Sequence, residues 1–293
     1  MATAGMKWFL RLLLAVALWV GALTAGHADQ LDTIRTAGVL RVAVSDGNPP
    51  FSFVDPLSRT ITGYDIDFAR AIAAGIGVEL QLVVTTLTDR VALLQSGKVD
   101  LIVAEMTITP ERAKTVAFSI PYFVVGQQLV VLASNSDRVE DYGSSRIGAA
   151  RGSTAVEYLA NDFPAARVSL FSDGPQALQA LREGAVDALI GDGPTLASLI
   201  ALAPDRERFN MIGEQLSRES IGIGMARNEP ALLAAVNSAL LTLERTGEAE
   251  RIYHIWFDRF GEPSQVRHFK IKVPCDAVSG WTAGDCTTDP LPG

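Results

Sequence analysis

Residues 104–112 read AEMTITPER and follow the apolar run Leu101-Ile102-Val103. Three consecutive apolar residues, two of them β-branched, suit a buried strand. Thr107 and Arg112 then frame a helix start, and between strand and arginine stands an acid, Glu105. A strand that ends in hydroxyl, carboxyl and guanidinium groups at a helix N-terminus is the usual place for a polar ligand in open α/β sheets.

The chain around it alternates strands and helices. Val39 to Ser45 predicts a strand, 63–77 a helix stopped by Gly75 and Gly77, 78–85 a strand, 89–97 a short helix and 99–104 a third strand. The pattern restarts with a strand at 146–150 and a helix at 153–163 with Ser153 as N-cap. It continues with a strand at 167–172, a helix at 175–183, a strand at 187–190 and a helix at 193–202. Two such series predict two α/β lobes with largely parallel sheets. Gln127 to Ala133 is expected to cross into the second lobe and Ser220 to Ala226 to return. One helical tract, 229–257, then packs on the first lobe. The expected lobes are 29–127 with 221–262, and 128–220, joined by two crossing hinge strands with a cleft between them. Residues 263–293 form a tail.

Composition narrows the function. Of 293 residues 48% are hydrophobic and 20% charged, which is globular, and a net charge of −8 argues against a nucleic-acid partner. Lys7 and Arg11 precede the apolar run Leu12 to Leu23, and Gly26-His27-Ala28 supplies small residues for cleavage. This predicts a secretory signal over 1–28 and a periplasmic destination. The apolar run falls short of the roughly 20 residues a bilayer needs. No cysteine lies near the cleavage site, which excludes a lipidated N-terminus. The only cysteines, Cys275 and Cys286, are expected to form one disulfide in an oxidising compartment. The only histidines are His27, His254 and His268, and none stands near the expected cleft. GxGxxG, P-loop and metal-spaced motifs are absent, so neither a cofactor nor a metal is expected.

The ends of three segments suit a zwitterion. Arg112 and the N–H groups of Ser153 and Thr154 offer donors for a carboxylate, while Thr107 and Asp192 offer acceptors for an ammonium.

The chain resembles the polar amino acid family of periplasmic solute-binding proteins of ABC transporters, with the type II periplasmic binding protein fold. The resemblance covers about residues 31 to 260. Its elements are VLRVAVSDGNPPFSF, ITGYDIDFARAIAAGIG, ALLQSGKVDLIVAEMTITPERAKTVAFSIPYF, GSTAVEYL, EGAVDALIGD and TGEAERIYHIWF. It implies a monomeric carrier that closes on an amino acid, delivers it to an ABC permease and does no chemistry. By position, Arg112 with the N–H groups of Thr154 and Ser153 would hold the ligand α-carboxylate. Thr107, Asp192 and the Glu105 carbonyl would hold its ammonium, and Leu87 would line the ligand. Relatives place an acid at 45 and an aromatic at 48, where this chain has Ser45, followed by Asp46, and Asn48. Phe51, in its PPF context, is expected to pack the lobe. Arg90 matches an arginine that reads a side-chain carboxylate in glutamate/aspartate-type relatives. Its other expected role is as a partner for a neighbouring acid such as Glu105, whose side chain is otherwise a determinant of specificity. Asp46, Glu105 and Asp173 load the region with negative charge, which points to a polar or cationic ligand side chain. Two further readings share the scaffold. One is a cyclohexadienyl-dehydratase-like enzyme with Glu105 as general acid, although the signature with its Asn-Glu pair after the second-lobe glycine is absent and Ser153-Thr154-Ala155 stands there. The other is an accessory subunit of a periplasmic quinoprotein dehydrogenase, with the tail as partner surface.

Overall fold

A computed structural model describes residues 29–260, 266–274 and 286–287. The expected leader and the pairing of Cys275 with Cys286 lie outside these residues, since neither 1–28 nor Cys275 is among them. The chain opens with α1 (Gln30–Ala37), capped by the Asp29 carboxylate, which accepts from Leu31 N at 3.0 Å. It continues through β1 (Val39–Val44), β2 (Gly47–Asn48), β3 (Ser52–Val54), β4 (Ile61–Thr62), α2 (Tyr64–Ile76), β5 (Glu79–Val84), α3 (Arg90–Gln95) and β6 (Leu101–Ile102). After α4 (Pro110–Ala113) and β7 (Ala117–Phe118), the crossing strand β8 (Phe123–Val125) leads to β9 (Gln127–Leu132). The second series is β10 (Arg146–Ala150), α5 (Ala155–Asp162), β11 (Arg167–Phe171), α6 (Gly174–Arg182), β12 (Ala188–Asp192), α7 (Gly193–Leu202) and β13 (Phe209–Ile212). The chain returns through β14 (Glu219–Ile221) and β15 (Gly224–Met225) to α8 (Pro230–Arg245) and α9 (Glu248–Phe260).

Two five-stranded sheets result. The first has the order β5-β1-β6-β15-β7, with β5, β1 and β6 parallel and β15 antiparallel to both β6 and β7. The second has the order β11-β10-β12-β9-β13, parallel through β11, β10 and β12, with β9 antiparallel to β12 and β13. Each sheet lies at the centre of a lobe, and the antiparallel pair β8–β14 joins the lobes.

The crossing falls earlier than expected. Residues 127–133 do not cross. β9 is a central strand of the second sheet, because its Leu129-Val130-Val131 core is buried on both faces. The switch sits at Gly126, where a Cβ would come within 2.3 Å of Ser217 O. The return is likewise two short strands, since pairing changes from β8 to β6 and β7 after Ile221. The expected tract 229–257 is two helices, broken at Gly247 with φ 78°. Ser153 does not cap α5. Thr154 holds the cap position, and Ser153 turns its hydroxyl back to Ala150 O at 2.7 Å.

The larger core lies under the first sheet and contains an aromatic cluster. Phe51, fully buried, packs edge-on against Tyr64, Phe123 and Phe257 with ring centroids 6.0, 4.9 and 5.5 Å away. It packs the lobe, as its PPF context predicts. Beyond α9, Arg267 and Ile271 are buried against α8 and α9, and Phe269 packs edge-on against Phe123 of the crossing strand at 4.7 Å. Val273–Pro274 pairs in parallel with Cys286–Thr287.

Candidate binding site

The loop after β6 is tied to the returning strand. Ile108 N donates to Ser220 O at 2.8 Å, and Gly222 N donates to Met106 O at 3.0 Å. Just before them the chain turns through Glu105, whose φ of 46° lies in the left-handed region. The turn is held from behind by Asp65, fully buried on α2. Its Oδ2 accepts from Glu105 N at 2.9 Å and its Oδ1 from Tyr122 Oη at 2.6 Å. Burial pushes the Asp65 carboxyl up to about 6. Thr109 then caps α4, accepting from Arg112 N at 3.2 Å, and this fixes the base of the arginine.

Arg112 Nη1 donates to Thr107 O in its own lobe at 2.9 Å, and Nη2 donates to Gly152 O in the other lobe at 3.0 Å. Arg90 converges on the same point. Its Nη1 donates to Ala104 O at 2.7 Å and its Nη2 to Gly152 O at 3.5 Å. Burial, then repulsion from Arg112, lowers Arg90 to about 9. One end of the cleft therefore holds two guanidinium groups around a single carbonyl.

The opposite end holds carboxyls. Asp192, the last residue of β12, accepts from Gln127 Nε2 at 2.6 Å. Glu105 faces it from the other lobe, and its oxygens accept from Asn48 Nδ2 at 3.1 Å and Thr195 Oγ1 at 2.8 Å. Asp192 lies close enough across the cleft to disfavour the ionised form of Glu105. Burial and then Asp192 push Glu105 far above the usual carboxyl range. Burial and then Glu219 push Asp192 up to about 7.

These groups line a cavity of about 50 Å³ between the lobes with Asn48, Leu87, Thr107, Ser153 and Thr154, so the lobes are closed over it. The structure thus gathers nine of the ten expected ligand residues: Asn48, Leu87, Arg90, Glu105, Thr107, Arg112, Ser153, Thr154 and Asp192. Asp46 is left outside. It is exposed at a second, outer cavity shared with Asn48, Leu87 and Asp173. Details also differ from expectation. Ser153 N–H is already turned to Ala150 O at 3.2 Å. The Arg90 guanidinium donates to the Ala104 and Gly152 carbonyls and not to the Glu105 carboxylate.

Two site residues escaped the sequence reading. Glu219 sits on the returning strand, and its carboxylate accepts from the hydroxyls of Thr107, Thr154 and Ser217 and from the Gln127 amide. Gln127 is fully buried at the start of β9 and joins Asp192 to Glu219. The available signal was a polar residue interrupting the apolar run FVVGQQLVVL.

Comparison with known proteins places this geometry. L-cystine-binding protein TcyJ of Escherichia coli K12 is 30% identical over 249 residues, covering 83% of this chain and 92% of that protein. The glutamine-binding protein GlnH of Bacillus subtilis is 34% identical over 233 residues, 78% of this chain and 84% of its own. The crystal structure of the ancestral amino acid-binding protein AncCDT-1, a precursor of cyclohexadienyl dehydratase, superposes with a TM-score of 0.72. It is 32% identical and covers 78% of this chain and all of that one. The sequence matches the bacterial extracellular solute-binding proteins, family 3, over residues 40–259, and the chain belongs to that family.

Proposed function

We propose that this protein binds an amino acid with a polar or charged side chain in the cleft between its lobes and delivers it to the permease of an ABC importer. The observation that carries this reading is the polarity of the cleft. Arg112 and Arg90 meet at one end and Asp192 and Glu105 at the other, with both lobes contributing. A zwitterion matches that dipole. Arg112 receives the α-carboxylate, exchanging its bond to Gly152 O for a charge-assisted one, beside the N–H of Thr154. Asp192 and Thr107 receive the ammonium. Binding across both lobes gives the closed state the differential affinity that closure requires. The relatives named for cystine and glutamine binding support an amino acid ligand. The protein acts in the periplasm as a monomer, after removal of residues 1–28, and does no chemistry.

A thermal-shift screen of residues 29–293 against amino acids, with prephenate as control, tests the reading. Tm rises with at least one amino acid, and Arg112→Ala removes the rise. An unchanged rise in that variant overturns the assigned pose. A second reading, an enzyme on this scaffold, is favoured by the buried Glu105 carboxyl, which burial and Asp192 push toward the neutral form a general acid needs. Turnover of prephenate would replace the carrier reading with that one.

A further inference from the structure

The cleft contains more carboxyls than cations, and one of them has no task in the zwitterion. Glu219 is satisfied by three hydroxyls and an amide. Asp192 is assigned to the ammonium. Glu105 remains. Its left-handed backbone, at φ 46°, penalises any residue with a Cβ, and Asp65 holds the turn in place from behind. This conformation brings a buried carboxyl into the space between the lobes. Its two oxygens accept from neutral donors, Asn48 in one lobe and Thr195 in the other. Arg90 directs its guanidinium to backbone carbonyls instead.

We propose that Glu105 determines specificity by pairing with a cationic side chain, so that the ligand is a basic amino acid of the diaminobutyrate, ornithine, lysine and arginine class. The proposal rests on the amino-acid-binding reading and deepens it. An acidic ligand would bring a further negative charge against Glu105 and Asp192. A neutral one would leave Glu105 protonated or unpaired in a buried place. A basic ligand instead puts its α-ammonium on Asp192 and its side-chain cation on Glu105. Its side-chain cation favours the ionised form of Glu105, so a proton held there in the empty cleft leaves to solvent. Leu87, Leu196 and Leu199 line the same cavity and present apolar surface to a methylene stem. Nothing in this pairing requires Arg90 to contact the ligand.

Calorimetric titration of residues 29–293 with 2,4-diaminobutyrate, ornithine, lysine, arginine, glutamine and glutamate tests it. At least one basic amino acid binds tenfold or more tighter than glutamine and glutamate. Glu105→Gln and Glu105→Gly each reduce that ratio at least tenfold. Glycine accepts φ 46° without penalty, so the second variant separates lost recognition from lost folding. A neutral or acidic amino acid as the tightest ligand, or a ratio unmoved in both variants, overturns the inference alone. No binding of any amino acid overturns the amino-acid reading and the inference with it.

Discussion

At the residue scale Asp192 and Glu105 face each other in the cleft, and their titration has a sign that can be measured. Around them stand Asp65 from α2, Arg90 from α3, Arg112 from α4 and Glu219 from β14. Burial and Glu219 raise Asp192 to about 7, well above its ordinary value. A raised folded-state value means that the neutral pair supports the closed, empty cleft at low pH. That support is lost as pH rises through about 7. A ligand cation needs the ionised form, so binding releases protons below this value. Affinity for a cationic ligand therefore strengthens from pH 6 to pH 8. Calorimetry in buffers of different ionisation enthalpy checks this. Proton release per ligand that is larger at pH 6 than at pH 8 is the expected result. A buffer-independent heat at pH 6 would contradict it.

Elements bring these residues together, and two of them make predictions. Gly152, just before the α5 cap, has φ 83° and presents its carbonyl to both arginines. A Cβ there would lie 3.1 Å from the Leu87 carbonyl carbon and 3.1 Å from Thr88 Cγ2 of the other lobe. Gly152→Ala therefore obstructs closure as well as straining the backbone, by about 1–2 kcal/mol for the left-handed conformation. Ligand Kd in the variant rises about tenfold, the equivalent of roughly 1.4 kcal/mol. Circular dichroism remains that of the folded protein. The second element is the segment after α9. The Arg267 side chain is completely buried, donating to Glu244 at 2.6 Å and Glu250 at 3.4 Å, and it lies over the Phe269 ring at 4.4 Å. Burial pushes Glu244 up, but bonds from Arg267 and Ile271 N more than offset this and hold it below its ordinary value. Arg267→Ala leaves Glu244 with only the half-exposed Lys270, 3.5 Å away, as a cation and exposes the aromatic cluster behind it. The expected loss is about 3 kcal/mol of unfolding free energy, read from urea titration. Ligand affinity at saturation of the folded state stays close to that of the parent.

At the scale of the whole molecule, two lobes close on one polarised cavity, and the sequence reveals much of this. β-branched runs such as VLRVAV and RVSLF bear local strand preferences, and Gly77 stops a helix wherever it occurs. Strand–helix alternation, two sheets and the cavity-lining Thr107, Arg112, Ser153, Thr154 and Asp192 follow from such short-range signals, while Asn48, Leu87 and Arg90 were legible only through the family resemblance. The crossing strands do not. Both 123–125 and 127–132 are apolar enough to be either the hinge or the sheet centre. The choice falls to Gly126, which alone fits beneath Ser217 O about ninety residues further on. Glu219 was hidden for the same reason, because its partners come from three separate loops and strands. The sequence by itself determined the α/β class, the presence of two lobes and the residue types around the ligand, since periodicity and turn chemistry act over a few residues. Only the tertiary structure decided that Glu105 faces Asp192, Asn48 and Thr195 and not Arg90. Contacts between residues 57 and 90 positions apart are set by packing of the lobes, and no local preference specifies them.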